Sequence, residues 1–107
     1  MIPGVVVVVN FDGVTGIKRR PAVVVSTEKY NLNRGDVIVA LITSQISRAT
    51  DSSDHVLEHW IEAGLDKPSA VRTFLQTYPI SRTRAIGRIS DSDWKSLLKC
   101  LRYSIEV

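Results

Sequence analysis

Residues 5–26, VVVVVNFDGVTGIKRRPAVVVS, decide the fold. Val5 through Val9 is a β-branched run bounded by Pro3 and Gly4 on one side and by Asp12 and Gly13 on the other. Branching at Cβ restricts χ1 and favours a pleated strand, and an unbroken apolar run is what a strand covered on both faces requires. Pro21 through Ser26 repeats the signature with Val23, Val24 and Val25. The Gly-rich connection Asp12 to Gly16 between them suits a hairpin with a mobile tip.

Outward from this pair, a third run, Val37 to Ile42, follows the turn signal Asn33, Arg34, Gly35, Asp36 and ends in Thr43, Ser44, Gln45. With no helical period between the three runs, antiparallel meander pairing is expected, because parallel crossovers need a dozen or more residues each. Farther on, Trp60 and Ile61 stand three and four places after Leu57 and Gly64 follows, which predicts a short middle helix of about two turns closed by a left-handed glycine. Ser69 to Leu75 reads as a strand with Val71, Thr73 and Leu75 on one face and Arg72 on the other. Ile86 to Ile89 is a brief strand interrupted by Gly87. Ser90 with Asp93 resembles a capping box, and Trp94, Leu97, Leu98 and Leu101 form the stripe of an amphipathic terminal helix, with Cys100 beside it as a small buried hydrophobe. The expectation is a mainly β protein. Its architecture is a small, partly open SH3-like β-barrel with a C-terminal α-helix over the opening and a short middle helix, one domain across residues 1–107.

A chain of 107 residues removes roughly 65% of its unfolded surface from water, enough to fold without staples. Apolar residues at 44% and charged residues at 23% exclude disordered and collagen-like classes. The longest apolar stretch is Val5 to Val9, far short of the ~20 residues a membrane helix needs. Met1, Ile2 and Pro3 supply no basic segment of a secretion signal, so a cytoplasmic protein with no membrane partner is expected. A single cysteine excludes an internal disulfide and a thiolate metal site.

The net charge of +3 hides an uneven distribution. Residues 51–66 carry only acids (Asp51, Asp54, Glu58, Glu62, Asp66) and residues 67–88 only bases (Lys67, Arg72, Arg82, Arg84, Arg88). Either the basic block joins Lys18, Arg19 and Arg20 in one cationic surface facing a polyanion, or the acidic and basic blocks pair with each other.

Four strings in order, KRRPAVVVS at 18–26, GDVIVALITSQ at 35–45, AGLDKPSAVR at 63–72 and AIGRIS at 85–90, resemble the PemK/MazF family of type II toxin-antitoxin endoribonucleases. The resemblance spans nearly the whole chain. It implies an SH3-like barrel that dimerises, cleaves single-stranded RNA without metal or other cofactor, and is restrained by a cognate antitoxin. Carried over residue by residue, Arg20 and Thr43 flank the scissile phosphate. Lys18, Arg19 and Arg72 are basic groups for RNA beside them, and Ser44 and Gln45 form a polar loop suited to nucleobases. Arg72 equally suits pairing with Asp54 or Glu58.

That chemistry asks for such residues. Attack of a ribose 2′-hydroxyl on the adjacent phosphate builds charge on the phosphoryl oxygens, which a guanidinium fork and a short hydroxyl donor can stabilise. The implied products are a 2′,3′-cyclic phosphate and a free 5′-hydroxyl. Family members often carry acids in the loop after the first strand and two residues past the later arginine; here the loop holds Asp12 and the latter position is Phe74, so the general base and acid are unassigned. Two rivals remain: a CcdB-like toxin that poisons a topoisomerase, and an RNA-binding barrel without catalysis.

His55 and His59, four apart with Glu58 or Glu62 nearby, have a metal-ligand spacing, but lack the rest of a zinc-protease motif and suit a solvated polar face. Tyr30 and Phe11 lie near polar loops where they could stack on bases; rim or core packing suits Phe11 better. Trp60 and Trp94 read as hydrophobic anchors.

Overall fold

The structure, a computed structural model, describes residues 1–13 and 16–107, with the backbone alone for residues 11–13, 17 and 18. Among the described residues six strands form one antiparallel sheet: β1 (Val5–Gly13), β2 (Gly16–Val24), β3 (Asp36–Thr43), β4 (Asp54–Val56), β5 (Ala70–Pro79) and β6 (Thr83–Arg88), in the order β4-β5-β3-β2-β1-β6. Helix α1 (Glu28–Arg34) lies between β2 and β3, and α2 (Asp91–Ser104) ends the fold. The mainly β, open-sheet architecture with a terminal helix is the one expected. Among the described residues no helix is long and apolar enough to cross a membrane.

The two valine runs pair as anticipated, Val6 with Val23 and Val7 with Ala22. The expected hairpin tip at residues 14 and 15 lies outside the described residues. Alternate side chains feed two cores. On one face Val6, Val23, Ala40, Ile42 and Val71 pack with Leu97 and Cys100 of α2, with Trp60 and Trp94 partly buried against them. On the other, Val7, Val9, Ala22, Val24, Val37 and Val39 pack together under Met1, Tyr78 and Ile80. This accounts for the valine run: Val6 enters one core and Val7 and Val9 the other, and β1, hydrogen-bonded between β2 and β6, offers no bare edge for aggregation.

Two helical expectations are corrected. The segment expected as a middle helix is a single turn, in which the Ala63 amide donates to the His59 carbonyl at 3.2 Å. Its end is as anticipated: Gly64 has φ 85°, and the Leu65 and Gly64 amides donate to the carbonyls of Trp60 and Ile61, a Schellman closure. The helix cannot extend backwards, because Asp54–Val56 are committed to β4 and the Leu57 amide to the Ser69 carbonyl.

The meander is also interrupted where no helix was anticipated. Helix α1 is capped by the Thr27 hydroxyl, which accepts from the Tyr30 amide, and closed by Gly35 at φ 68°. It has no apolar stripe. Its buried residue, Asn31, instead donates from Nδ2 to the carbonyls of Met1 and Ser26 and accepts from the Ser26 hydroxyl.

Candidate functional site

Pairing between β2 and β3 ends at Ala22 opposite Leu41. Two residues beyond that pair on each strand stand Arg20 and Thr43. Both residues line one cavity of about 810 Å³, with Arg19, Ser44, Gln45 and Arg72 also in its wall. Of the seven candidate site residues, the side chain of Lys18 lies outside the described residues; the other six are brought together.

A register shift opens the far wall. Between Ala40 opposite Leu75 and Ile42 opposite Val71, the single residue Leu41 faces Arg72, Thr73 and Phe74. Such a bulge re-aims side chains. Arg72 and Phe74 both line the cavity, and the Arg72 guanidinium carbon stands 4.5 Å from the Phe74 ring centroid.

The floor of the site depends on a contact between backbones. A Cβ placed on Gly87 would come within 2.2 Å of the Ala63 carbonyl oxygen, and one on Gly64 within 2.4 Å of the Ile86 carbonyl oxygen. Only paired glycines allow the 60–64 turn to lie this close to β6. The turn thereby brings Gly64, Leu65, Asp66 and Lys67 into the wall beside Arg84 and Ile86.

Six cations line the cavity, Arg19, Arg20, Arg48, Lys67, Arg72 and Arg84, against the one carboxylate of Asp66 among the described lining residues. The convergence of the basic block on the Arg19–Arg20 pair is therefore real for Lys67, Arg72 and Arg84, whereas Arg82 and Arg88 lie outside the lining. Arg48 was missed by sequence reasoning, since it stands alone among polar residues after β3 and only the fold returns it to the site. Pairing of the blocks also occurs once here: Arg72 Nε meets Asp54 Oδ1 at 3.2 Å. Arg72 thus pairs with Asp54 while still lining the cavity.

The Thr43 hydroxyl oxygen accepts from the Gln45 amide at 3.1 Å. A hydroxyl has one hydrogen and two lone pairs, so this bond orients the oxygen while leaving its hydrogen to donate to a ligand. A guanidinium from within β2 and a hydroxyl at the end of β3 can together hold a tetrahedral anion.

The histidines do not share a helix face. His55 is on β4, with Nε2 2.8 Å from Oδ1 of the buried Asp93, and His59 stands 3.7 Å from Glu62. Nor does Asp93 complete the capping box: the Ser90 hydroxyl accepts from its amide, but its carboxylate accepts from the Glu58 and His59 amides. Among the described residues no group of three or more His, Cys, Asp or Glu side chains is placed to hold a metal ion. Tyr30 stacks with Arg34 on α1, at 5.7 Å, and does not line the cavity, and the Phe11 and Asp12 side chains lie outside the described residues.

Among solved structures, the chain is similar to the MazE-MazF complex (Form-III) from Deinococcus radiodurans, at 19% identity and a TM-score of 0.76 over 97% of this chain and 95% of that one. It is similar to the Mycobacterium tuberculosis toxin MazF-mt6 at 22% identity and a TM-score of 0.75, covering 94% of each chain. An endoribonuclease in complex with its cognate antitoxin from Mycobacterial species gives 16% identity and a TM-score of 0.72 over 97% of this chain and 93% of that one. At these identities the likeness concerns the fold. No curated protein matches the chain. A family model described as PemK-like, MazF-like toxin of type II toxin-antitoxin system matches residues 2–105. By that match, over nearly its full length, the chain belongs to the PemK-like, MazF-like toxins of type II toxin-antitoxin systems.

Proposed function

We propose that this toxin is a metal-independent endoribonuclease that cleaves single-stranded mRNA at selected sequences, leaving 2′,3′-cyclic phosphate and 5′-hydroxyl ends. The observation that carries the reading is the meeting of Arg20 and Thr43 in one cation-lined cavity. In this reading the strand's phosphates are drawn in by Arg19, Arg48, Lys67 and Arg84. Arg20 and the Thr43 hydroxyl hold the scissile phosphate, and Arg72 supports them. As the 2′-oxygen attacks, charge grows on the phosphoryl oxygens and these donors strengthen their hold on it. Ser44 and Gln45 contact the bases beside the cleaved bond. The toxin acts in the cytoplasm as a homodimer, and a cognate antitoxin restrains it, a partnership supported by the likeness to a MazE-MazF complex.

The test is cleavage of a defined single-stranded RNA in EDTA by the wild type, Arg20→Ala and Thr43→Ala. Losing one such donor costs ~3 kcal/mol of barrier, about a hundredfold in rate. Chelator-resistant cleavage by the wild type and its loss in both variants supports the reading. RNA binding without cleavage would point to a non-catalytic barrel, and topoisomerase inhibition without any RNA effect to a CcdB-like poison.

A further inference from the structure

Phe74 is 53% exposed, in contrast to Trp60 and Trp94, which pack against the core. A large apolar ring left in water inside a cationic cavity calls for a ligand with both negative charge and an apolar face. An unpaired nucleotide has both: a phosphate for the surrounding cations and a base with a π-face. A double helix does not, because its bases are already stacked on one another.

The ring is also held in place before any ligand arrives. Asp54, whose side chain is 1% exposed, binds Arg72 Nε, and the Arg72 guanidinium in turn lies over one face of Phe74. About half of the Phe74 surface, 53%, still meets solvent beside this contact. The register shift opposite Leu41 presents this ring to the cavity that also holds Arg20 and Thr43. A platform fixed in this way loses little rotamer freedom when a base settles on it.

We propose that Phe74 is a stacking platform for one unpaired base of the RNA strand, with the Arg72–Asp54 pair as its support. The proposal rests on the RNA-cleaving reading given above and adds a base-binding residue that acts through its π-face. Stacking tolerates every base, so Phe74 contributes affinity and positions the strand, while Ser44 and Gln45 are left to discriminate.

The experiment measures binding of a mixed-sequence single-stranded oligoribonucleotide with 2′-fluoro sugars, which cannot supply the attacking hydroxyl. Wild type, Phe74→Leu and Phe74→Trp are compared across a salt series, beside an abasic strand of equal length, with thermal unfolding and sedimentation as controls. Phe74→Leu should bind roughly tenfold or more weakly, with the slope against salt unchanged because the phosphate contacts remain. Phe74→Trp should stay close to wild type, and the abasic strand should not distinguish Phe74→Leu from wild type. Equal affinity of Phe74→Leu and wild type, or an equal loss on the abasic strand, overturns the proposal and leaves the RNA reading intact. A Phe74→Leu protein that binds RNA normally but sediments as a smaller species overturns it too, and assigns the ring to contact between copies. Wild type that binds neither strand defeats the RNA reading and the proposal with it.

Discussion

His55 Nε2 stands 2.8 Å from Asp93 Oδ1, with the histidine side chain 15% and the aspartate 1% exposed. This bond ties β4 to the first turn of α2, and the same carboxylate accepts from the backbone amides of Glu58 and His59 at 3.0 and 3.1 Å. One side chain thus anchors the segment that leads into the cavity wall at Gly64 to Lys67.

Replacing that anchor should be costly. Asp93→Ala would leave two amides, an imidazole nitrogen and the Ser90 hydroxyl without their acceptor, a loss of roughly 3 kcal/mol or more of folding stability. Asp93→Asn keeps one oxygen acceptor and should lose less. Chemical denaturation of the three proteins at neutral pH measures both steps, and equal midpoints for wild type and Asp93→Ala would refute the anchoring role.

The same site makes stability depend on acid. Burial works to raise the Asp93 pKa, but hydrogen bonds from the Glu58 amide, His55, the His59 amide and the Ser90 hydroxyl outweigh it and hold the carboxyl below its ordinary value. A carboxyl lower in the folded than in the unfolded state binds fewer protons when folded. Its stabilising contribution is therefore complete above the unfolded value of about 3.9 and disappears as pH falls through the folded value. The stability gap between wild type and Asp93→Asn should narrow below about pH 4. A gap that stays constant down to the acid transition would show that the carboxylate's charge is not involved.

The strands that could be read in the sequence are those whose reason for forming is apolar. Val5 to Val9, Val23 to Val25 and Val37 to Ile42 declare themselves because all of their side chains except those of Val8 and Ile38 enter or pack against the two cores. Helix α1 was hidden because its buried anchor is Asn31, held by backbone carbonyls, which leaves no 3.6-residue apolar rhythm. β4 was hidden because only Asp54, His55 and Val56 form it, and the side chain of Asp54 is used for an ion pair and that of His55 for a hydrogen bond. In the site, Arg20 and Thr43 were legible through resemblance alone, since periodicity says nothing about a meeting across β2 and β3. Phe74 was legible as a residue but its exposure was not, because that depends on the bulge opposite Leu41.

Gly87 offers a purely steric test. The atoms a methyl group would meet, the Ala63 carbonyl oxygen at 2.2 Å and its carbon at 2.5 Å, are backbone and cannot rotate away. Gly87→Ala must push the 60–64 turn off β6, with a loss of about 2 kcal/mol or more. The displaced wall carries Lys67, so RNA cleavage should fall as well. Unaltered thermal stability in Gly87→Ala would mean that the turn does not sit as closely on the strand as described.

Arg72 and Asp54 allow structural and ligand roles to be separated in one set of variants. Asp54 is 1% exposed at its side chain and Arg72 27%, with Nε and Oδ1 3.2 Å apart. Arg72→Ala removes the cation and leaves a carboxylate in a covered position, which costs more than the pair itself contributes. Asp54→Asn removes the charge and keeps the shape, so the double variant should recover part of the stability lost in Arg72→Ala. Affinity for RNA should follow another pattern. Arg72→Ala and the double variant should bind equally weakly, with the salt slope reduced by about one relative to wild type if Arg72 meets a phosphate. Asp54→Asn should keep that slope, because the guanidinium is still present in the cavity wall. Denaturation and a salt series on the four proteins distinguish the outcomes, and a salt slope in Arg72→Ala equal to wild type would confine Arg72 to supporting Phe74 and Asp54.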